Sequence, residues 1–302
     1  MRLKTLRAVR ALAGKRVLLR ADFNVPIANG GVDHAGDERL RRVRPTIAYC
    51  QQRGAVVVLA AHLGRPRGQE VPALSLAPVA RYLNDRLHVP VQFSGAVGTA
   101  AAATAVAEAL PGSVLMLENL RFDPGEEGNR DEFAHALASL ADVYVNDAFG
   151  NCHRRHASMV AVTKLLPSYA GLLVAEEVQQ LSQLLNRPRR PFAAVIGGVK
   201  LSTKLAVIEK ILRLADHLLL GGNLANTVLA ASGVTVGRSP VEGALLPKLR
   251  KLSLTTVKLH VPVDVVTATT TDGSTPALTR AVANVEPQEY ILDIGPDTVK
   301  LF

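Results

Sequence analysis

Residues 16–23 read RVLLRADF, with three aliphatic side chains in a row between a basic residue and the Arg20-Ala21-Asp22-Phe23 sequence. A short apolar run that does not alternate with polar residues is the pattern of a strand buried on both faces, as in a parallel sheet covered by helices on each side. Three more runs of the same kind follow: AVVVLAAH (55–62), SVLMLENL (113–120) and DVYVNDAF (142–149). Between them, residues 39–53, 75–87 and 130–141 carry helical patterns. The rhythm resumes with FAAVIGG (192–198), HLLLGG (217–222), KLHVPVDVV (258–266) and EYILDIG (289–295). Strands alternating with helices predict an α/β fold made of doubly wound, Rossmann-like parallel sheets. No solenoid repeat occurs, and the one compositionally biased tract is the alanine-rich 99–109.

A boundary is expected near LLNRPRRPF (184–192), where prolines and arginines follow the amphipathic stretch AGLLVAEEVQQLSQLL (170–185). The reading is an N-terminal domain over 1–169, a connecting hinge helix over 170–187 and a C-terminal domain over 188–302. Two such sheets joined by one helix would form a ligand-binding cleft.

The composition suits a water-soluble globular chain: 48% of residues are hydrophobic and 20% charged. No apolar run approaches the ~18 residues of a spanning helix, so no transmembrane segment is predicted. The basic N-terminus, MRLKTLRAVRALAGKRVLLRAD, lacks the serine enrichment of a transit peptide and leads straight into a strand, so it reads as ordinary fold. Cys50 and Cys152 stand far apart, which supports neither a disulfide framework nor a zinc site and makes a reducing cytoplasm the expected compartment. The 35 Lys+Arg against 26 Asp+Glu give a formal charge of +9, a surplus that attracts phosphates of any kind.

Polar residues gather where open α/β sheets place ligands, at the carboxyl ends of the predicted strands. Strand one ends in Arg20, Asp22 and Asn24. Strand two ends in His62, Gly64 and Arg65, the third in Glu118, Asn119 and Arg121, and the fourth in Asn146 and Asp147, followed by His153 and Arg154. Arg39 opens the next helix. One arginine on its own is usually a solvated surface charge. Arginine recurring at the same end of successive strands points to an anion site, because a guanidinium matches phosphate or carboxylate oxygens in pairs.

In the second half, Gly197-Gly198-Val199-Lys200-Leu201-Ser202-Thr203-Lys204 lies between a strand and a helix. Glycines let backbone N–H groups approach a phosphate, and a helix N-terminus adds favourable partial charge. Lys200 and Lys204, four apart, are expected on one face of the first helical turns, flanking a polyphosphate. Structural tight turns also use this glycine pattern, and it is not a P-loop; none occurs elsewhere. Gly221-Gly222 ends the following strand and would border an adenine ring. Other chemistries lack support. His153 and His156 are flanked by Arg154 and Arg155, which repel a cation, so no metal site is assigned. Ser158, Ser202 and Ser239 have no nucleophile-elbow context. Aromatic residues are 4% and tryptophan is absent, which disfavours nucleic-acid binding; a basic protein holding nucleic acid by charge alone stays as a distant alternative.

LRADFNVP (19–26), HLGRP (62–66), LENLRF (117–122), YVNDAFGNCHRRHAS (144–158), RPFAAVIGGVKLSTKLAVIE (190–209), LLLGGNLANT (218–227), VPVDVV (261–266) and LDIGPDT (292–298) resemble, in order, successive motifs of the phosphoglycerate kinase family. The resemblance implies reversible phosphoryl transfer between ATP and the carboxylate of 3-phosphoglycerate, giving 1,3-bisphosphoglycerate and ADP, with Mg2+ and hinge closure. It implies a monomer that binds neither nucleic acid nor membrane. By position, Asp22, Asn24, Arg39, His62, Arg65, Arg121 and Arg154 fall on the family's phosphoglycerate site. Gly198, Lys200, Lys204, Gly221 and Gly222 fall on its nucleotide site, with Arg39 and Lys200 serving the migrating group.

Asn151, Cys152 and Thr203 depart from the residues usual in the family, and Asn223 replaces the third glycine of its Gly-Gly-Gly run. The family's Trp-Asn-Gly-Pro strand and Gly-Gly-Gly-Asp-Thr turn do not occur in this sequence. The turn helps hold the magnesium, so the second domain is expected to be incomplete and turnover slow or absent. The alternative expectation is a phosphoglycerate-binding fragment without activity.

Overall fold

The computed structural model describes residues 3–251 and 257–302, so the first two residues of the basic N-terminal segment lie outside it. The chain divides into two compact units, Met1–Leu181 and Ser182–Phe302.

In the first unit, β1 (Arg16–Arg20) leads into a hairpin of β2 (Ile27–Ala28) and β3 (Gly31–Val32), then α1 (Glu38–Gln51) and β4 (Val56–Ala60). Next come α2 (Ala77–Asp85), β5 (Val91–Gly95), α3 (Ala100–Ala107) and β6 (Val114–Leu117). The short α4 (Pro124–Glu127), α5 (Asp131–Ser139), β7 (Val143–Asn146) and β8 (Ser168–Ala170) precede α6 (Leu172–Asn186), whose last turns belong to the second unit. Six strands form one sheet in the order β5-β6-β4-β1-β7-β8, every pair parallel. The side-chain period of two sorts the strands into two cores. Leu19, Val57 and Val145 face Leu40, Val43 and Ile47 of α1 and Leu83 of α2. Leu18, Val58, Leu115 and Tyr144 face Val106 of α3 and Phe133 and Leu137 of α5. Each such aliphatic side chain contributes about 1.5–3 kcal/mol relative to exposure. The sheet is therefore doubly wound, as expected from 16–23 and its three companions. β5 and β8 were not anticipated: both are edge strands, one nearly alternating and the other three residues long. Leu6 and Leu12 are buried in the first core, and Thr5 bridges Ala170, so the basic N-terminal stretch packs as part of the fold.

The second unit begins with β9 (Ala193–Ile196), α7 (Leu205–Leu214), β10 (His217–Leu220), α8 (Gly222–Ala231), α9 (Leu246–Lys251) and β11 (Leu259–His260). These strands form a parallel sheet in the order β11-β10-β9, with Leu205, Ile208, Leu218, Leu220, Leu224 and Val228 in its core. The chain then makes β12 (Asp264–Ala268), β13 (Leu278–Ala281), β14 (Tyr290–Ile294) and α10 (Pro296–Leu301). KLHVPVDVV is not one strand: Pro262, which has no N–H for a ladder, separates β11 from β12, and the two belong to different sheets. EYILDIG does form β14, but it pairs antiparallel with β12, as does the unanticipated β13. The connections at 269–277 and 282–289 hold no α-helix and fall short of the dozen or so residues that a parallel crossover requires.

Candidate functional site

In the first sheet, the connections from β1 and β7 leave in opposite directions, β1 toward β4 and β7 toward β8, which places a topological switch point between them. Ligands bind outside the carboxyl ends of strands at such a point. The predicted residues follow the carboxyl ends of β1, β4, β6 and β7, on the same side of the sheet as that point. Asn24 Oδ1 accepts from the Gly64 N–H at 2.9 Å, tying the end of β1 to the end of β4. Arg39 stands in the first turn of α1 and donates through Nη1 to both Asp22 oxygens at 3.2 Å and to the Asn24 carbonyl at 3.0 Å. That turn is anchored by Asp37, which accepts from Arg41 Nε at 2.8 and 2.9 Å and from the Tyr82 hydroxyl at 2.6 Å. These contacts, Arg41 foremost, hold the Asp37 carboxyl below the usual range.

Arg121 is buried behind β6. Its Nη1 donates to the Gly64 carbonyl at 2.7 Å, and its Nε pairs with Glu127 at 3.1 Å. Burial and the neighbouring Arg154 and Arg20 charges lower its pKa, while Glu127 opposes them. Asn119 joins the ends of β4 and β6 by donating to the Leu63 and Leu74 carbonyls at 2.8 and 2.9 Å. Gly64 takes φ +62°, and a Cβ there would meet Leu74 Cδ2 at 2.7 Å, so this tight turn requires glycine. Arg65 follows with an exposed side chain. Arg154 is half-buried beyond β7. Among the described residues, Arg121 Nη2 and Arg154 Nε are buried without a hydrogen-bond partner.

His62 is buried too, and a guanidinium defines its state. Arg20 Nη2 lies 3.2 Å from His62 Nδ1. Arginine only donates, so Nδ1 accepts and the ring proton sits on Nε2. Burial, then the charges of Arg20, Arg121 and Arg154, push the His62 pKa down to about 2. The ring is therefore neutral at any ordinary pH.

Arg20 and Asn119 stand among the strand-end residues of the sequence but carry no assigned role there, and Ser158 and Glu126 are not recognisable from it as supports of the mouth. Arg20 carried a signal, a charge closing an otherwise apolar run. Glu126 carried none.

In the second unit the glycine pairs end neighbouring strands and meet. A Cβ on Gly222 (φ +61°) would stand 3.4 Å from the Gly198 carbonyl oxygen, and one on Gly198 would stand 2.7 Å from Lys204 Nζ. Gly221 precedes α8 as its N-cap. Lys200 and Lys204 are not on a helix, which corrects the expectation: α7 starts at Leu205, Lys204 is its N-cap, and Lys200 lies exposed in the preceding loop. Lys204 takes φ −116°, and the Leu201-Ser202-Thr203 turn is held by Glu242, which accepts from the Ser202 N–H at 3.2 Å. Among the described residues, no group of three or more His, Cys, Asp or Glu is placed to hold a metal, and no helix is long and apolar enough to cross a membrane.

An open parallel sheet with guanidinium and imidazole groups at its switch point, in a chain that also carries a glycine-rich strand-to-loop turn with two lysines, has the build of an α/β phosphotransferase. The family model described as phosphoglycerate kinase matches residues 6–302. Phosphoglycerate kinases of Thermomicrobium roseum and Pelotomaculum thermopropionicum are each 46% identical, over 95% and 99% of this chain and 74% and 76% of their own lengths. Two solved structures are similar over 99% of the chain. The phosphoglycerate kinase from Coxiella burnetii has a TM-score of 0.80, 35% identity and 76% of its own chain covered. That from Pyrococcus horikoshii has a TM-score of 0.84, 27% identity and 77% covered. The chain belongs to the phosphoglycerate kinase family. Its function is that of an ATP-dependent kinase acting on 3-phosphoglycerate, and nothing in these likenesses favours an inactive fragment.

Proposed function

We propose that the basic mouth of the first unit binds phosphoglycerate and that the glycine–lysine loop of the second unit binds the phosphates of the nucleotide. In this reading Arg65, Arg121 and Arg154 hold the substrate phosphate, His62 adds a neutral donor, and Asp22 and Asn24 orient the hydroxyl end. A carboxylate oxygen of 3-phosphoglycerate attacks the γ-phosphorus, and the bond to the β–γ bridging oxygen breaks as ADP leaves. Arg39 and Lys200 neutralise the migrating group, and Lys204 holds the inner phosphates. Gly198, Gly221 and Gly222 leave the backbone open to the nucleotide. Positioning and charge stabilisation dominate such transfers. Magnesium enters as part of the Mg-ATP substrate. The same reading has the chain act as a monomer in the cytoplasm, with closure about α6 excluding water from the transfer.

The observation that carries the proposal is the pair of buried, unpartnered donors, Arg121 Nη2 and Arg154 Nε. A buried polar group without a partner costs on the order of 1–3 kcal/mol, more if charged, and an anionic ligand removes that cost. Calorimetric titration with 3-phosphoglycerate and, separately, Mg-ADP tests it. Arg121→Met should weaken phosphoglycerate binding by about 10- to 100-fold, the worth of hydrogen bonds to a charged group, and leave Mg-ADP binding unchanged. Equal phosphoglycerate affinity in the two proteins would remove the site from this mouth.

A further inference from the structure

Glu126 lies on α4, fully buried, and takes no part in the roles assigned above. Its Oε1 accepts from the Ser158 hydroxyl at 2.6 Å and its Oε2 from the Ser158 N–H at 2.9 Å, while its carbonyl accepts from the Ala157 N–H at 2.8 Å. The Ser158 hydroxyl has one proton, and that proton goes to Glu126. Its free lone pair accepts from Arg20 Nε at 2.9 Å. Arg20 also donates through Nη1 to the Ala21 carbonyl and through Nη2 to His62 Nδ1. The result is a continuous buried chain running from carboxylate to hydroxyl to guanidinium to imidazole.

We propose that Glu126 is a positioning residue for the phosphoglycerate site, acting through Ser158 and Arg20 to fix His62 as a ring that accepts at Nδ1 and donates at Nε2. The inference rests on the site reading given above. Without a fixed Arg20, nothing in this chain of bonds selects which His62 nitrogen carries the proton, and the ring would present a donor or an acceptor to the anion. Only the donor helps. The same carboxylate is a counter-charge beneath Arg20, with His156 Nδ1 3.6 Å from Oε1. Burial raises the Glu126 pKa, but His156, Arg20 and Ser158 together hold it below the usual carboxylate value, so the group is an anion at neutral pH. Glu126 also pins residues 157–158, and with them the segment that carries Arg154.

The test uses the whole chain and two substitutions, Ser158→Ala and Glu126→Gln. Both should weaken 3-phosphoglycerate binding by about tenfold, as expected for a lost hydrogen bond to a charged group, with Mg-ADP affinity unchanged. Long-range proton–nitrogen NMR of the His62 ring should show an unprotonated Nδ1 in the wild type and a mixture of tautomers in each variant. A purely structural role for Glu126 would leave the ring signal as it was. Unchanged phosphoglycerate affinity in the variants, or a fixed wild-type tautomer retained in both, overturns the proposal. Ser158→Ala deletes a single oxygen and keeps the test decisive should Glu126→Gln fail to fold. If the wild type itself does not bind 3-phosphoglycerate, the site reading falls, and the ring signal still decides on its own whether the relay sets the tautomer.

Discussion

In the first sheet guanidinium and imidazole groups gather at the ends of β1, β4, β6 and β7, whereas β9 and β10 of the second unit end in paired glycines. The first arrangement buries two charges and a neutral ring: Arg20, Arg121 and His62 are almost without exposure, and their geometry is set by one another and by backbone carbonyls. The second removes side chains so that backbones approach, and its lysines sit outside, Lys200 exposed and Lys204 half-buried. On the proposed reading, the difference decides which ligand each mouth would take. Rigid forks suit a small anion held in one pose, while open backbone and a flexible ammonium suit a polyphosphate chain that changes length during the reaction.

Arg39 tests the contrast most severely, because its side chain is half exposed and paired with Asp22, unlike the buried Arg20 and Arg121. On the proposed reading its work is done in the transition state. Arg39→Ala should lower kcat by about 100- to 1000-fold, the usual loss for one oriented donor, with little change in KM for 3-phosphoglycerate. A coupled turnover assay measures both. Equal losses in the two parameters would place Arg39 with the rigid forks and break the distinction between holding and transferring.

Gly222 is the corresponding probe of the second mouth. At φ +61°, with a would-be Cβ 3.4 Å from the Gly198 carbonyl oxygen and 3.5 Å from its nitrogen, it is set by backbone approach rather than by charge. Gly222→Val should weaken Mg-ADP binding by about tenfold or more, because relieving the strain of a β-branched residue at positive φ, on the order of 1–3 kcal/mol, shifts the backbone that faces the nucleotide on the proposed reading. Phosphoglycerate binding should not change. Calorimetry with each ligand gives the answer, and a loss in phosphoglycerate affinity alone would reverse the assignment of the two mouths.

Much of this was legible in the sequence because burial on both faces leaves a plain mark. VLL in β1 and VVVLA in β4 read as interior strands, and Asp22, Asn24, His62, Arg121 and Arg154 followed from the rule that open sheets use their carboxyl ends. Edge strands left weaker marks: VQFSG in β5 has two exposed positions in its middle. The break at Pro262 was visible as a residue but not as a change of sheet, since pairing partners are a tertiary choice. Lys200 and Lys204 misled through their spacing, because four residues suggest a helical face only where a helix exists. Glu126 and Ser158 stand 32 positions apart, and no local pattern announces that they meet.

The contrast between crowded and satisfied groups extends to two aspartates that cap helices. Asp147, just past β7, accepts through Oδ1 from the Leu173 and Val174 N–H groups at 2.9 and 3.2 Å, and its Oδ2 is buried without a partner. Asp264, at the start of β12, accepts from the Thr298 and Asp297 N–H groups at 2.7 and 3.0 Å and from the Thr298 hydroxyl at 2.6 Å. Each has a glycine opposite, Gly171 or Gly295, where a Cβ would overlap the carboxylate. Burial raises both carboxyls. At Asp264 the hydroxyl and backbone donors outweigh it and the pKa ends below the usual value, whereas at Asp147 the Thr46 hydroxyl and the Val174 and Leu173 N–H groups offset it only in part and the carboxyl is left at about 6. A carboxyl raised above its unfolded value stabilises the fold fully below the unfolded pKa and loses that contribution as the pH rises through the folded pKa. Asp147 should therefore withdraw on the order of 2 kcal/mol of stability between about pH 4 and pH 6. Asp147→Asn keeps the cap at Oδ1 and removes the charge. The stability of the wild type relative to this variant, from denaturant unfolding at pH 4, 5, 6 and 7, should fall with rising pH and then level off. A flat difference across that range would mean that Asp147 is as well satisfied as Asp264.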